Sequence, residues 1–382
     1  MRVRTGVVGL GFIGMAHIEA LRRLGFVDVI AVTDAFYDLA VQKASELGIP
    51  KAYSSYQDML LDEDIDVIHV CTPNHLHFQV AKDAILAGKH VLSEKPLALN
   101  TQESAELVRL AKERGIIHAV NFNYRHFAMV QQLRSLIHHG ELGDIWLVHG
   151  NYLQDWLLYD TDFNWRMLPE FGGKSRAVAD IGSHWISTVQ HVIGQSVTEV
   201  FGDISTMVPV RKRVLSKNQT FQYSDLAQDY EEVSISTEDY ASILLRFNGG
   251  AQGSVAISQV SAGRKNHFSF EVNGSRASAF WDQEQPERLW IGHRDQPNEV
   301  MQADPSIVFP EVRNFIHYPG GHLEGWPDGM KNAMLNLYTF IREGKHLSQD
   351  SPEFETFEEG HRIMLIVEAI LESSKMGQWV RV

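Results

Sequence analysis

"VRTGVVGLGFIGMAHIEALRRLG", residues 3–25, opens as a β-rich run, passes through glycines at 9, 11 and 14, and continues as a segment whose Ile18, Leu21 and Leu24 fall on one helical face. Gly9-Leu10-Gly11-Phe12-Ile13-Gly14 is thus a G-x-G-x-x-G placed between a strand and a helix. Glycines there permit a tight turn, close backbone approach to a pyrophosphate and close helix–strand packing, while the helix N-terminus offers N–H groups and partial positive charge. Alone, the hexapeptide could equally be a turn that only packs the first helix. Asp34 stands 20 residues after Gly14, at the end of the next β-rich run, where an acid can accept both hydroxyls of a ribose. Its carboxylate would repel a 2′-phosphate, and no arginine follows it in "TDAFYD", so NAD is favoured over NADP.

The same alternation continues outward. Val27–Val32 precedes "YDLAVQKASELG", "IDVIHVC" precedes "HLHFQVAKDAILAG", and "KHVLSE" precedes "TQESAELVRLAKERG", with "IIHAVNF" as a further strand. Each helix ends at a glycine (Gly25, Gly48, Gly88, Gly115), the usual left-handed stop. Strands apolar at nearly every position are buried on both faces, as parallel strands between two helix layers are. Residues 1–123 are therefore expected to form a doubly wound dinucleotide-binding domain.

The whole chain has 382 residues and a formal net charge of −14. That length suggests two domains, and the acidic balance argues against nucleic acid or anionic membrane as the main partner. Arg211-Lys212-Arg213 is the one basic cluster and reads as a solvated loop. Cys71 stands alone, which excludes an internal disulfide framework and suits a reducing cytoplasm. The apolar start is broken by glycines and lacks a small-residue cleavage site, so it is not read as a signal peptide. No apolar stretch reaches the ~20 residues a membrane span requires. A soluble, cytoplasmic protein is expected.

"KHVLSE" ends in Glu94-Lys95-Pro96. The C-terminal ends of parallel strands present ligands in such sheets, and a partly desolvated lysine can hydrogen-bond a substrate hydroxyl. Pro96 fixes the turn, and the bond before it could be cis. A capped turn with a solvated ion pair is the bland alternative.

Beyond Asn123 the period changes. "MVQQLRSLIHHGELG" is helical, followed by long alternating segments such as "ASILLRFNGGAQGSVAISQV" and "HFSFEVNGSRASAFW", with Asn248-Gly249 and Asn273-Gly274 as hairpin signals. Residues 124–382 are expected to form an α+β domain with a large, mainly antiparallel open sheet. Within "FGGKSRAVADIGSHWISTVQHVIG", Asp180 and His184 lie four apart; in a helix they share a face and could meet one ligand. A structural pair at a helix cap is the competing use. A metal site is not expected, since no third ligand at recognisable zinc spacing stands nearby. "FIHYPGGHLEGWPDG" offers His317, His322, Glu324, Trp326 and Asp328 in a loop suited to sugar hydroxyls and ring faces, or to capping the last helices. His69, His138 and His139 read as a strand residue and a solvated helix end.

"GVVGLGFIGMAH", "VCTPNHLH", "SEKPLAL" and "NFNYRH" occur in the order and spacing seen in the Gfo/Idh/MocA family of NAD(P)-dependent sugar and polyol oxidoreductases. This chain resembles that family from about residue 6 to residue 330. Its signature, Glu-Lys-Pro at a strand end, is far more specific than the glycine loop, and implies that Lys95 lies between nicotinamide and substrate. The resemblance further places Phe12, Ile13, Thr72, Pro73, Asn74, His77, Glu94 and Asn123 by the cofactor, and Trp165-Arg166, more loosely, near its nicotinamide end. It gives the acid/base role to His184 with Asp180 as neighbour. Tyr124, Arg125, His317 and His322 are implied as substrate contacts. "KSRAVAD" is more polar than the apolar stretch the family often carries there, which leaves that wall of the pocket open. The family's exposed sheet face commonly joins subunits, implying a homodimer or homotetramer. The expected reaction is hydride transfer between a secondary alcohol of a cyclic polyol or sugar and NAD. An NADPH-dependent keto-sugar reductase and a non-catalytic sugar sensor are the alternatives.

Overall fold

The computed structural model describes residues 2–214 and 230–382, and the chain divides into two compact units. The first holds Met1–Phe127 with Gly325–Met364, the second Ala128–Glu324 with Leu365–Val382.

In the first unit, β1 (Val3–Val8), β2 (Val27–Thr33), β3 (Lys51–Tyr53), β4 (Val67–Val70), β5 (His90–Ser93) and β6 (His118–Val120) alternate with α1 (Phe12–Arg23), α2 (Tyr37–Leu47), α3 (Tyr56–Leu60), α4 (Asn74–Leu86) and α5 (Thr101–Arg114). The sheet has six strands in the order β3-β2-β1-β4-β5-β6, every pairing parallel. This is the doubly wound order, and its direction of winding reverses between β1 and β4. The apolar runs that marked the strands are the buried ones: all four residues of β4 are buried. Gly25, Gly48, Gly88 and Gly115 all have positive φ, as their helix-stop role requires. The edge strand β3 and the short α3 carry too few residues for their periodicity to stand out in the sequence.

Residues 325–364 were assigned from the sequence to the second domain, yet they pack in the first unit. The reason lies in α9 (Trp326–Arg342). Its Met330, Met334, Leu337, Tyr338 and Ile341 share one core with Val3, Val7, Ile18 and Leu21. These positions form a single helical stripe, and a stripe states that a helix is buried without stating against what.

The second unit contains α6 (Ala128–His138), β7 (Ile145–Leu153), α7 (Pro169–Gly172), α8 (Ser183–Ile193), β8 (Val197–Ser205), β9 (Val210–Val214), β10 (Tyr230–Ser234), β11 (Tyr240–Phe247), β12 (Gln252–Ser258), β13 (His267–Gly274), β14 (Ser278–Asp282), β15 (Arg288–Gly292), β16 (Glu299–Gln302) and β17 (Val380–Arg381). The last helix, α10 (Phe357–Met376), contributes to both units. Nine strands form a sheet in the order β16-β15-β14-β13-β7-β12-β11-β8-β17, antiparallel except for β12 beside β7, while β9 and β10 pair separately. Strand β11 shows why the alternation was readable. Ala241, Ile243, Leu245 and Phe247 are buried, and Ser242, Leu244 and Arg246 are exposed. Helices cover one face only, α8 being tied to β13 by a hydrogen bond from Trp185 Nε1 to the Ser269 carbonyl, 3.0 Å. Asn248-Gly249 does turn the chain between β11 and β12, but Asn273-Gly274 ends β13 itself, and the turn follows it.

Candidate active site

Because the six strands of the first sheet run in one direction, their C-terminal ends lie along one edge. Gly9, Asp34, Thr72, Glu94-Lys95 and Asn121–Asn123 all follow strand ends there. Gly9 has φ +95°, and a Cβ on it would stand 2.6 Å from the Cys71 carbonyl oxygen; one on Gly14 would stand 2.0 Å from the Gly9 carbonyl oxygen. These two glycines are sterically obligatory. Gly11 is different: it is the N-cap of α1, without a side-chain cap, and a Cβ there would meet nothing within 4 Å. The uncapped N-terminus of α1 therefore faces open space, as an anion site demands. Asp34 is held in place by the N–H groups of Leu10 (2.8 Å) and Phe36 (3.1 Å). Phe12 is well exposed, and its ring stacks on Trp326 with centroids 5.9 Å apart.

The Lys95–Pro96 peptide bond is cis. Just before it, the buried Glu94 accepts from His17 Nε2 at 2.9 Å and from Asn121 Nδ2 at 2.6 Å on one oxygen, and from the Lys95 N–H at 3.2 Å on the other. Burial alone raises this carboxyl, but the hydrogen bond and charge of His17, the Asn121 amide and the Lys95 charge outweigh it and hold it at about 2. The contacts continue inward: His17 Nδ1 lies 2.8 Å from His69 Nδ1, His69 Nε2 2.7 Å from the Tyr338 hydroxyl, and that hydroxyl 2.7 Å from Thr5 Oγ1. His69 is thus more than the plain strand residue the sequence suggested. Burial and the neighbouring His17 push its pKa far down, so it is neutral.

The loop after β4 behaves as a support for the turn at Pro96. His77 places Nδ1 2.7 Å from the Pro96 carbonyl oxygen and Nε2 2.8 Å from that of Thr72. Pro73 is the N-cap of α4, and Asn74 its first residue. Thr72 Oγ1 and Asn123 Nδ2 are buried atoms without a hydrogen-bond partner among the described residues, and Asn123 as a whole is 3% exposed. Buried polar groups normally find partners. A glycine cradle, a helix N-terminus, a positioned acid and two orphaned polar atoms on one sheet edge fit a dinucleotide. Tyr124 is buried, its ring stacked on Phe127 at 5.7 Å. Arg125 is buried beside it. Its guanidinium is turned to Glu359, 2.6 Å, and Glu355, 3.4 Å, so it joins an ion-pair cluster with His126.

In the second unit, Trp165 and Arg166 form a short turn with the Arg166 guanidinium 4.4 Å from the Trp165 ring. Asp180 lies in a wide π-type turn, Val178–Gly182, that leads directly into α8, whose second residue is His184. The expected helix is present, with its first turn opened by one residue, a distortion frequent at functional sites. His184 is 6% exposed. Asp180 accepts a hydrogen bond from Gln259 Nε2 at 2.8 Å, and Arg166 Nε lies 3.9 Å from its other oxygen. Gln259 had no signal in the sequence, being 79 residues from Asp180.

The loop containing His317 and His322 is organised by Glu324, which accepts from the N–H groups of His317 (2.7 Å) and Tyr318 (3.0 Å). His322 is exposed, with Nδ1 3.0 Å from the Pro319 carbonyl oxygen. Asp328 caps α9 through the Gly325 N–H, 2.8 Å, and pairs with Arg23, so it is a structural acid. His267, Asp282 and Glu284 bring potential ligand atoms within 4.8 Å of one another. Arg264 already compensates Glu284 at 3.3 Å, which makes this an ionic cluster. Among the described residues no helix is long and apolar enough to cross a membrane.

Residues 3–122 match the oxidoreductase family with an NAD-binding Rossmann fold, and residues 130–280 match the GFO/IDH/MocA C-terminal domain. Levoglucosan dehydrogenase of Pseudarthrobacter phenanthrenivorans is 29% identical, covering all of this chain and 98% of that protein. Myo-inositol 2-dehydrogenase of Thermotoga maritima is 25% identical over 73% of this chain and 75% of its own length. A solved levoglucosan dehydrogenase in complex with NADH and L-sorbose superposes with a TM-score of 0.88 at 28% identity, covering 100% of this chain and 99% of that one. With matches over both halves and relatives aligned end to end, the chain belongs to the Gfo/Idh/MocA oxidoreductases and is an NAD-dependent oxidoreductase.

Proposed function

We propose that this enzyme oxidises a secondary alcohol of a cyclic polyol or sugar of the inositol, glucoside or anhydrosugar type, reversibly, with NAD. The observation that carries the reading is the strand-end edge of the first sheet. An ionised, buried Glu94 immediately precedes Lys95 there, on the same edge as the glycine cradle, Asp34 and the unpartnered Asn123 amide. Gly9, Gly11, Phe12, Ile13 and Gly14 would hold the pyrophosphate and Asp34 the ribose hydroxyls. Thr72, Pro73, Asn74, His77, Glu94, Lys95 and Asn123 would line the cofactor, with Trp165 and Arg166 at its nicotinamide end. When bound, NAD supplies the acceptor for the carbinol hydride. His184 takes the hydroxyl proton as general base. Lys95 donates a hydrogen bond to the same oxygen and stabilises its developing negative charge, a contribution strongest where water is excluded. Asp180 orients His184 or holds a neighbouring hydroxyl, and Tyr124, His317 and His322 contact the substrate. The exposed face of the nine-stranded sheet favours a homo-oligomer.

Initial rates of NAD and NADP reduction against inositols, glucose, glucosides, levoglucosan and open-chain polyols test this. Turnover of a cyclic member with NAD is expected. Silence across the panel with NADH binding intact would overturn the reading.

A further inference from the structure

One buried arginine grips Asp180 from two directions. The Asp180 N–H donates to the Arg176 carbonyl at 2.7 Å, while its carboxylate accepts from Gln259 Nε2 at 2.8 Å and Gln259 Oε1 accepts from Arg176 Nη1 at 3.0 Å. The orientation of the Gln259 amide follows from chemistry. A guanidinium only donates and an ionised carboxylate only accepts, so a single placement of oxygen and nitrogen satisfies both neighbours. Gln259 cannot drift, because its backbone N–H donates to the Asp239 carbonyl at 3.0 Å and its carbonyl accepts from Leu157 at 3.2 Å.

Arg176 is fixed as firmly. Its Nη2 donates to Asp239 Oδ1, an oxygen shared with Arg211 Nη2, and its Nε lies 3.3 Å from Thr237 Oγ1. Its own N–H and that of Val178 donate to Glu238 Oε1, each at 2.9 Å. Arg176 is 1% exposed, and Gln259, Asp239 and Arg211 are 0% exposed. Two guanidiniums in a dry interior are costly to desolvate, and here Asp239, Gln259 and Thr237 accept from them. This arginine is one of the polar residues of "KSRAVAD".

We propose that Arg176 and Gln259 are positioning residues for Asp180. They hold its carboxylate charged and fix its direction through the Gln259 amide. The assignment rests on the reading of Asp180 as part of the reaction. Gln259 and, at 3.9 Å, the Arg166 guanidinium face that carboxylate, and His184 follows four residues later as the second residue of α8. The hydrogen bond from Gln259 favours the charged form, so its loss raises the Asp180 pKa.

The test uses the full-length enzyme as Gln259→Leu and Gln259→Glu. Asp180 is titrated by NMR with carboxyl-labelled aspartate, assigned through Asp180→Asn, and the pH profile of kcat/KM is recorded alongside. Gln259→Leu should raise the Asp180 pKa and the acid limb by about one unit and lower kcat about tenfold, the worth of one charge-assisted hydrogen bond. The KM for NAD should stay unchanged. Gln259→Glu keeps the volume and the Arg176 partner but sets a second carboxylate against Asp180, and should raise both values further. An Asp180 titration and acid limb unmoved in both variants would overturn the proposal. The titration needs no substrate. A shifted carboxyl in an enzyme that turns over no sugar would support the grip on Asp180 and fault the dehydrogenase reading instead.

Discussion

Gly14 shows how little freedom the cofactor loop has. A methyl group placed there would stand 2.0 Å from a backbone oxygen, which no side-chain motion can relieve. Gly14→Ala should therefore displace the loop from α1 and weaken NADH binding at least about tenfold, measured by fluorescence titration, whereas Gly11→Ala, with open space before it, should bind better than Gly14→Ala. Lys95 makes the opposite prediction. Lys95→Ala should lower kcat by about a hundredfold or more, the usual scale for removing a donor from a developing oxyanion, with the NADH dissociation constant nearly unchanged. Undiminished turnover would remove Lys95 from the mechanism. Both residues were visible in the sequence because their reasons are local: a turn that admits only glycine, and a charge at a strand end.

At the level of elements, the supports of the site were not visible. Tyr338 reaches His69 across 269 residues of sequence, and Gln259 reaches Asp180 across 79. Periodicity says that α9 has a buried stripe and that β4 is buried, but no pattern within either says that a tyrosine and a histidine meet. His69 was a lone histidine in an apolar strand, and Arg125 a basic residue in a familiar motif. Each acquired its role from a distant partner. Tyr338→Phe takes the hydroxyl from between two buried groups and leaves His69 Nε2 and Thr5 Oγ1 to face a ring edge. A loss of about 1–3 kcal/mol is expected, read as a lower urea midpoint at unchanged m-value. The strands of the first sheet were legible for the converse reason, since double-sided burial forces an apolar run, while three-residue β3 and the charged pair β9 and β10 carry no such run.

For the molecule as a whole, buried histidines set the response to acid. Burial pushes His118 down to about 4, against a minor pull from Glu358, and burial lowers His69, His77 and His90 as well. A histidine with a depressed folded-state pKa binds its proton more readily when unfolded, so stability is full above about 6.5 and falls as pH drops towards 4. Glu94, held at about 2, adds a loss between about 4.5 and 2, because its unfolded form takes up a proton first. The melting temperature should thus decline steadily below pH 6.5; a flat profile from pH 8 to 4.5 would contradict the burial of these groups. On the outer face of the nine-stranded sheet, register aligns Phe201, Leu244, Ser254, His149, Glu271, Phe280, Trp290 and Val300 in one row. Leu244 and Val300 are 46% and 63% exposed. If this face joins subunits, Leu244→Lys with Val300→Lys should lower the mass found by sedimentation equilibrium, and an unchanged mass would place any interface elsewhere.

The return of residues 325–364 to the first unit orders events during synthesis. A ribosome that has released the six parallel strands has not yet made α9, whose Met334, Leu337 and Tyr338 complete their core. The nucleotide-binding half, first to emerge, is therefore among the last parts to be finished, and a nascent chain stopped near residue 127 should be a substrate for chaperones and proteases.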